Sequence, residues 1–281
     1  MRLFLAIAAT DARTLPMDSW LTAVILSIVE GLTEFLPVSS SGHLILAGDL
    51  LGFSGEKSAT FQVVIQLGAI MAVVVLYWKR FLGLLKPAHN APFSGSRGIA
   101  LLLLTSLPAC VLGLTLHSVI KQLFTPLSVL CALTVGAIIM IVVEKRPHTA
   151  PRYATLDDVT PRLALGIGFF QCLALWPGFS RSASTIMGGM LLGAKRALAA
   201  EYSFIAAVPI MIAATGYDLL KSWPLLSAAD APFFAIGIFG SFLSALAAIK
   251  IFIALVSRMT LIPFAIYRLI LAPLVYFFMV N

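Results

Sequence analysis

Six stretches of the chain, at about 61–78, 98–116, 126–143, 202–220, 233–256 and 261–280, run apolar over the roughly 17–25 residues a helix needs to cross a bilayer. Backbone amides in lipid must find partners within the protein, so such runs fold as helices. A membrane barrel would instead show short segments of alternating polarity. Charged residues make up 11% of the 281, against about 25% in a soluble domain, and mean hydropathy is +1.02. The expectation is an all-α polytopic membrane protein with no room for a sizeable soluble domain. Cys110, Cys131 and Cys172 all lie in apolar runs without metal-ligand spacing, which reads as packing and argues against a disulfide framework or a zinc site.

Two further regions, about 20–52 and 163–194, are apolar but interrupted midway, by FLPVSSSG at 35–42 and LWPGFSRS at 175–182. Each half is too short to span, so each region reads as a re-entrant helical hairpin that enters and leaves on one side. The net charge of +7 sits in short loops between apolar runs, the pattern that sets membrane orientation, and no nucleic-acid partner is expected. If segment 61–78 ends in the cytoplasm, the inside loops carry Lys79, Arg80, Lys86, Arg97, Lys145, Arg146, Arg152, Arg162, Lys195, Arg196 and Arg258. The opposite loops carry only Lys57, Lys121 and Lys221. The first hairpin then enters from outside and the second from inside.

That opposition implies an inverted repeat, with halves of about 20–143 and 161–281. Laying the second half over the first so that Ser180 meets Ser39 also brings Ser182 onto Ser41, Gly189 onto Gly48 and Leu191-Leu192-Gly193 onto Leu50-Leu51-Gly52. Glu30 falls on Gln171, while Pro37 and Pro177 miss by one. The N-terminal segment 1–16 lies outside this pattern. It reads either as a weakly signal-like extension or as an over-extended start, with Met17 as the true first residue of a single domain, 17–281.

The chemistry concentrates at the two breaks. Glu30 and Glu34, at i and i+4, share one helix face; two carboxylates side by side in a low dielectric need a shared proton or a cation between them. Pro37 ends that helix, and Ser39, Ser40, Ser41 and Gly42 lead into a half-helix at about 43–51. The second break leads through Ser180, Arg181 and Ser182 into a half-helix at about 183–193. Helix N-termini favour anions, and broken helices of this kind hold ligands at a repeat interface. Arg181 adds a fork that matches phosphate oxygens. Carboxylates for a divalent cation, an arginine, two N-termini and hydroxyls describe a phosphate or diphosphate site. Ser40 lies three residues before His43, within reach of it as a general base; a water activated by His43 or Glu34 is an equally open route.

EGLTEFLPVSSSGH and ALWPGFSRSAST, with LIPFAIYR at 261–268, strongly resemble the undecaprenyl-diphosphate phosphatase family, also called the bacitracin-resistance family, from about Met17 to the C-terminus. The resemblance implies removal of one phosphate from undecaprenyl diphosphate, regenerating the lipid carrier for peptidoglycan. It implies a site on the periplasmic face of the bacterial cell membrane and dependence on a divalent cation, Mg2+ or Ca2+. By motif, the metal-linked glutamates fall on Glu30 and Glu34, the histidine on His43, the serine nucleophile on Ser40 and the phosphate-binding arginine on Arg181. Ser39, Ser41, Ser180 and Ser182 join Arg181 as expected substrate contacts. Ser41 stands where relatives often have threonine. The expected partners are the polyprenyl diphosphate, membrane lipids and, left open, a second copy in a homodimer.

The competing reading is a transporter or flippase for a phosphorylated lipid or small anion, since inverted repeats with broken helices also build carriers. A carrier has no need for a serine–histidine pair beside a cation site. Arg268 lies too deep to snorkel; an acidic partner and a site-supporting role are both open.

Overall fold

The structure is a computed structural model that describes residues 18–53, 55–86, 91–146 and 150–280. The N-terminal segment 1–16 and Met17 lie outside the described residues. In chain order the helices are α1 (Asp18–Thr33), α2 (Ser40–Leu50), α3 (Glu56–Leu76), α4 (Trp78–Leu85), α5 (Gly95–Thr115), α6 (His117–Gln122), α7 (Pro126–Lys145), α8 (Pro161–Gln171), α9 (Arg181–Leu191), α10 (Arg196–Ser222), α11 (Ala231–Val256) and α12 (Ile262–Val280). By length and composition, five stretches among the described residues suffice to cross a membrane: Lys57–Leu76, Gly95–Thr115, Pro126–Lys145, Arg196–Ser222 and Ala228–Val256. The sixth expected span, α12, is apolar but shorter, over Ile262–Phe278. Pro108, Pro209 and Pro273 sit inside helices, a placement that spanning helices tolerate more readily than soluble ones.

Both interrupted regions fold as short helix, break, short helix. The half-helices begin earlier than expected, at Ser40 and Arg181, because Ser39 and Ser180 are their N-caps. Ser39 Oγ accepts from the Gly42 amide and Ser180 Oγ from the Ala183 amide. Ser39 (φ 71°) and Ser180 (φ 78°) are the only non-glycine residues with positive φ among the described residues. That conformation costs of order 1–3 kcal/mol and persists only where surroundings over-determine it.

The alignment that lays Ser180 on Ser39 superposes the bounds of α9 on those of α2, and it carries α8, α10, α11 and α12 largely onto α1, α3, α5 and α7. Packing follows suit: α1 lies on α11 as α5 lies on α8, α12 touches α2 as α7 touches α9, and α7 pairs with α12. Two halves related by a two-fold axis would pack this way. The central core gathers Phe35 from the first break, Phe179 from the second, and Phe204 and Phe252 from α10 and α11. Phe35 meets Phe204 edge-on at 5.2 Å, so the breaks rest on packed aromatics rather than on loop.

Polar contacts sort the loops into two ends. Arg80 pairs with Asp157 at 3.5 Å, Arg196 with Glu144 at 2.7 Å, and Arg196 also donates to the Met259 carbonyl, joining the four basic loops. Lys57 pairs with Asp230 at 3.2 Å at the other end of α3. The basic loops therefore share one face of the protein.

Candidate active site

Where α1 ends, the chain turns through Glu34–Val38 and presents Glu34 to both half-helix N-termini. Glu34 Oε2 accepts from Ser40 Oγ at 2.5 Å, and Glu34 Oε1 accepts from Arg181 Nη2 at 2.9 Å. Ser40 is the first residue of α2 and Arg181 the first of α9, so one carboxylate ties the two hairpins together. The side chains of Glu34 and Arg181 are only 9% and 13% exposed, which lifts this pair above the small value of a surface ion pair. Arg181 is held further by the Ser203 carbonyl at 3.2 Å and lies over the Phe35 ring, while its Nε meets no acceptor among the described residues. Thr185 steadies the same turn, bonding the Arg181 carbonyl and the Ser203 hydroxyl.

A cavity of about 380 Å³ opens over this junction. Glu34, Ser39, Ser40, Ser41, Ser180 and Arg181 line it, with Gln66 and Gln171. Its other wall is apolar, including Ala109, Ile120, Phe124 and Met211. Six of the nine site residues anticipated from the sequence therefore face one space.

Three do not. Glu30 is fully buried, and its carboxyl lies within hydrogen-bonding reach of that of Glu34, close enough for the two to share a proton; neither Glu30 oxygen meets another donor among the described residues. Ser182 is fully buried and donates to the Leu36 carbonyl at 2.8 Å, so it staples the second hairpin to the first break. His43 is outside the cavity lining. Its Nδ1 lies 2.7 Å from the Ser39 carbonyl and its Nε2 2.7 Å from the Tyr267 hydroxyl, with the two rings stacked. In the neutral ring a nitrogen facing a carbonyl must carry the hydrogen, leaving Nε2 to accept from Tyr267. Both nitrogens are thus occupied, and the hydroxyl of Ser40 is paired with Glu34 rather than with His43.

Arg268 meets no acidic partner among the described residues either. It is fully buried and donates through Nη2 to the carbonyls of Ala132 and Gly178, at 3.1 Å each. Three residues at or beside the site escape sequence reasoning: Gln66, which lines the cavity, Tyr267 and Gln171. Tyr267 stands unremarked in the quoted LIPFAIYR, and Gln171 donates through its amide to the Thr105 carbonyl, leaving Oε1 buried and without a donor among the described residues. The only signal for Gln171 is that the repeat lays it on Glu30.

The family model for the bacitracin resistance protein BacA matches residues 23–274, which contain both breaks and every residue of the site. The chain belongs to the BacA family. Curated BacA-like relatives carry the name undecaprenyl-diphosphatase. One from Desulfovibrio desulfuricans is 76% identical over 266 residues, covering 94% of this chain and all of the relative. Another from Nitratidesulfovibrio vulgaris is 71% identical over 264 residues, covering 94% and 99%. A third from Lawsonia intracellularis is 60% identical over 262 residues, covering 92% and 98%. Membership of the BacA family agrees with the many apolar spans.

Proposed function

We propose that this chain is an undecaprenyl-diphosphate phosphatase, hydrolysing the terminal phosphate of the lipid diphosphate to regenerate the monophosphate carrier. The observation that carries the reading is the Ser40–Glu34–Arg181 chain across the two breaks. A hydroxyl bonded to a carboxylate at 2.5 Å is an activated nucleophile, and the guanidinium on the same carboxylate sits where a phosphate would bind. The names of the curated relatives point to the same substrate.

In this reading the diphosphate lies between the N-termini of α2 and α9, whose free amides favour its charge. Ser40 Oγ attacks the terminal phosphorus as its proton passes to Glu34 Oε2. The bond from that phosphorus to the bridging oxygen breaks, and undecaprenyl phosphate leaves. Glu34 passes that proton to the departing phosphate; it then takes a proton from the water that attacks the phosphoserine and returns it to the Ser40 oxygen as phosphate is released. The Arg181 guanidinium offsets the charge that grows on the phosphoryl oxygens. The wall of Ala109, Ile120 and Phe124 suits the first isoprene units.

A divalent cation fits the residues present. Among the described residues no group of three or more His, Cys, Asp or Glu could hold a metal. Mg2+, however, is commonly held by one or two carboxylates with substrate phosphates and water completing the shell. Glu30 and the Glu34 carboxyl beside it would supply that pair, the ion taking the place of a shared proton. Such an ion would neutralise diphosphate charge and polarise the reacting phosphoryl group. The cavity is walled by Ile120 and Phe124, at the end of α5 away from the basic loops, which supports a site facing the outer side of the bacterial membrane.

The test is phosphate release from undecaprenyl diphosphate by the purified protein in detergent, with and without a chelator. Wild type should release phosphate in a chelator-sensitive way. Ser40→Ala, Glu34→Gln and Arg181→Ala should each lose at least about 100-fold in kcat/KM. Absence of release from folded wild type with added divalent cations would refute the phosphatase reading and favour transport of the lipid.

A further inference from the structure

Two adjacent residues of α12 touch both re-entrant hairpins. Tyr267 reaches the first, with its hydroxyl 2.7 Å from His43 Nε2 and its ring stacked on the imidazole. His43 in turn holds the carbonyl of Ser39, the positive-φ cap at which α2 begins. Arg268 reaches the second hairpin, where Nη2 donates to the carbonyl of Gly178, just ahead of the Ser180 cap of α9. The same nitrogen donates to the Ala132 carbonyl on α7, and the guanidinium lies over the Phe179 ring.

Two glycines make this arrangement possible. Gly178 has φ +96°, and a Cβ there would collide with the Val129 carbonyl on α7. Gly136 on α7 lies against Arg268 so closely that a Cβ would occupy the place of its guanidinium. A buried arginine without an acid is costly, and Nε and Nη1 meet no acceptor among the described residues. Burying this cation to hold two carbonyls makes sense if the position of the second break matters. The repeat places Tyr267 and Arg268 opposite Pro126 and Leu127, so the first half carries no equivalent.

We propose that Tyr267 and Arg268 are positioning residues that together set the separation of the half-helix N-termini of α2 and α9. This inference rests on the reading of those termini as the diphosphate site. The reaction needs Ser40 at one terminus and Arg181 at the other to meet the same phosphoryl group, and misplacement by about 1 Å is enough to cost on the order of 100-fold in rate. The pair acts through backbone placement and touches no reacting atom.

The test uses the full-length chain with its three cysteines replaced and nitroxide labels at Leu50→Cys and Leu191→Cys. These positions close α2 and α9 and are 59% and 38% exposed. Pulsed electron resonance then reads the distance between the half-helices in four backgrounds: otherwise unchanged, Tyr267→Phe, Arg268→Lys and Gly136→Ala. Kinetics on undecaprenyl diphosphate are measured on the same chains without labels. The expected result is a single narrow distance that shifts or broadens in the variants, with kcat down at least about tenfold and KM within about threefold. Tyr267→Phe removes one hydroxyl, so it keeps the question answerable if Arg268→Lys does not fold. An unaltered distance in folded variants overturns the proposal, whether or not kcat falls. A shifted distance with unchanged kcat in an active protein also overturns it. An inactive parent chain refutes the phosphatase reading instead, and the distances still report whether α12 spaces the hairpins.

Discussion

Glu30 brings two carboxylate oxygens into the interior, and neither meets a donor other than the Glu34 carboxyl among the described residues. Its carboxyl lies against that of Glu34, and two buried carboxyls so close need a shared proton or a cation between them, so the pair should be kept for chemistry at the expense of stability. Glu30→Gln, whose amide can still donate to Glu34, is accordingly expected to leave stability unchanged or raise it by about 1–3 kcal/mol, while lowering phosphate release at least about tenfold. Thermal melts in detergent beside the activity assay check both halves; a marked fall in melting temperature would mean that the carboxylate is structurally satisfied. Glu30, Glu34 and Arg181 were legible in the sequence because charge inside apolar runs is rare and functional. The partner of Ser40 was not. Local spacing puts His43 within reach, but the break turns Glu34 back onto Ser40 and α12 captures His43, a tertiary event that no short-range pattern encodes. The partners of Arg268 stay hidden for the opposite reason: they are backbone carbonyls, which every sequence position supplies.

The half-helices were legible as elements because proline and serine clusters interrupt apolar runs of the wrong length. Their starts fall two or three positions earlier than expected, since nothing in the letters Ser39 and Ser180 announces a positive φ. Each serine combines a strained backbone with an N-cap that relieves one orphan amide. Ser180→Gly relaxes the strain and retains most of the cap preference, whereas Ser180→Ala loses the cap and keeps the strain. Ser180→Ala should therefore be less stable than Ser180→Gly by about 1–2 kcal/mol, read as separate melting curves. The short helices α4 and α6 are invisible to a search for spans, because neither is long enough to cross.

Ahead of the second hairpin, the turn 155–158 is closed by a capping box. Hydrogen bonds from the Ala154 and Thr155 amides, and then the Thr155 hydroxyl, hold the Asp158 carboxyl below the usual aspartate range. A lowered folded-state value means that the contribution is complete above the unfolded value, about 3.9, and fades as pH falls through the folded one. The stability difference between wild type and Asp158→Asn should thus be constant from about pH 7 to 5 and shrink only below about pH 4. A difference that collapses by about pH 5 would show that those hydrogen bonds do not select the ionised form.

At the scale of the whole molecule, the excess of basic residues in alternate loops foresaw which loops would share an end, because the bias follows from the membrane rather than from packing. The ion pairs Arg80–Asp157 and Arg196–Glu144 lie at one end and Lys57–Asp230 at the other. What charge alone could not say was where the site opens. The cavity reaches Ile120 and Phe124, beyond the far end of α5, so substrate would enter from the side opposite the basic loops. This orientation is a proposal with a direct check. In a chain freed of its three cysteines, Trp223→Cys, at a 68% exposed position near Lys57 and Asp230, should react with a membrane-impermeant maleimide in intact spheroplasts. Arg258→Cys, beside the exposed basic loops, should react only after lysis. The reverse pattern would put the Ser40–Glu34–Arg181 junction on the cytoplasmic side, and a carrier lipid left on the outer leaflet after polymer transfer could not reach it without first crossing the bilayer.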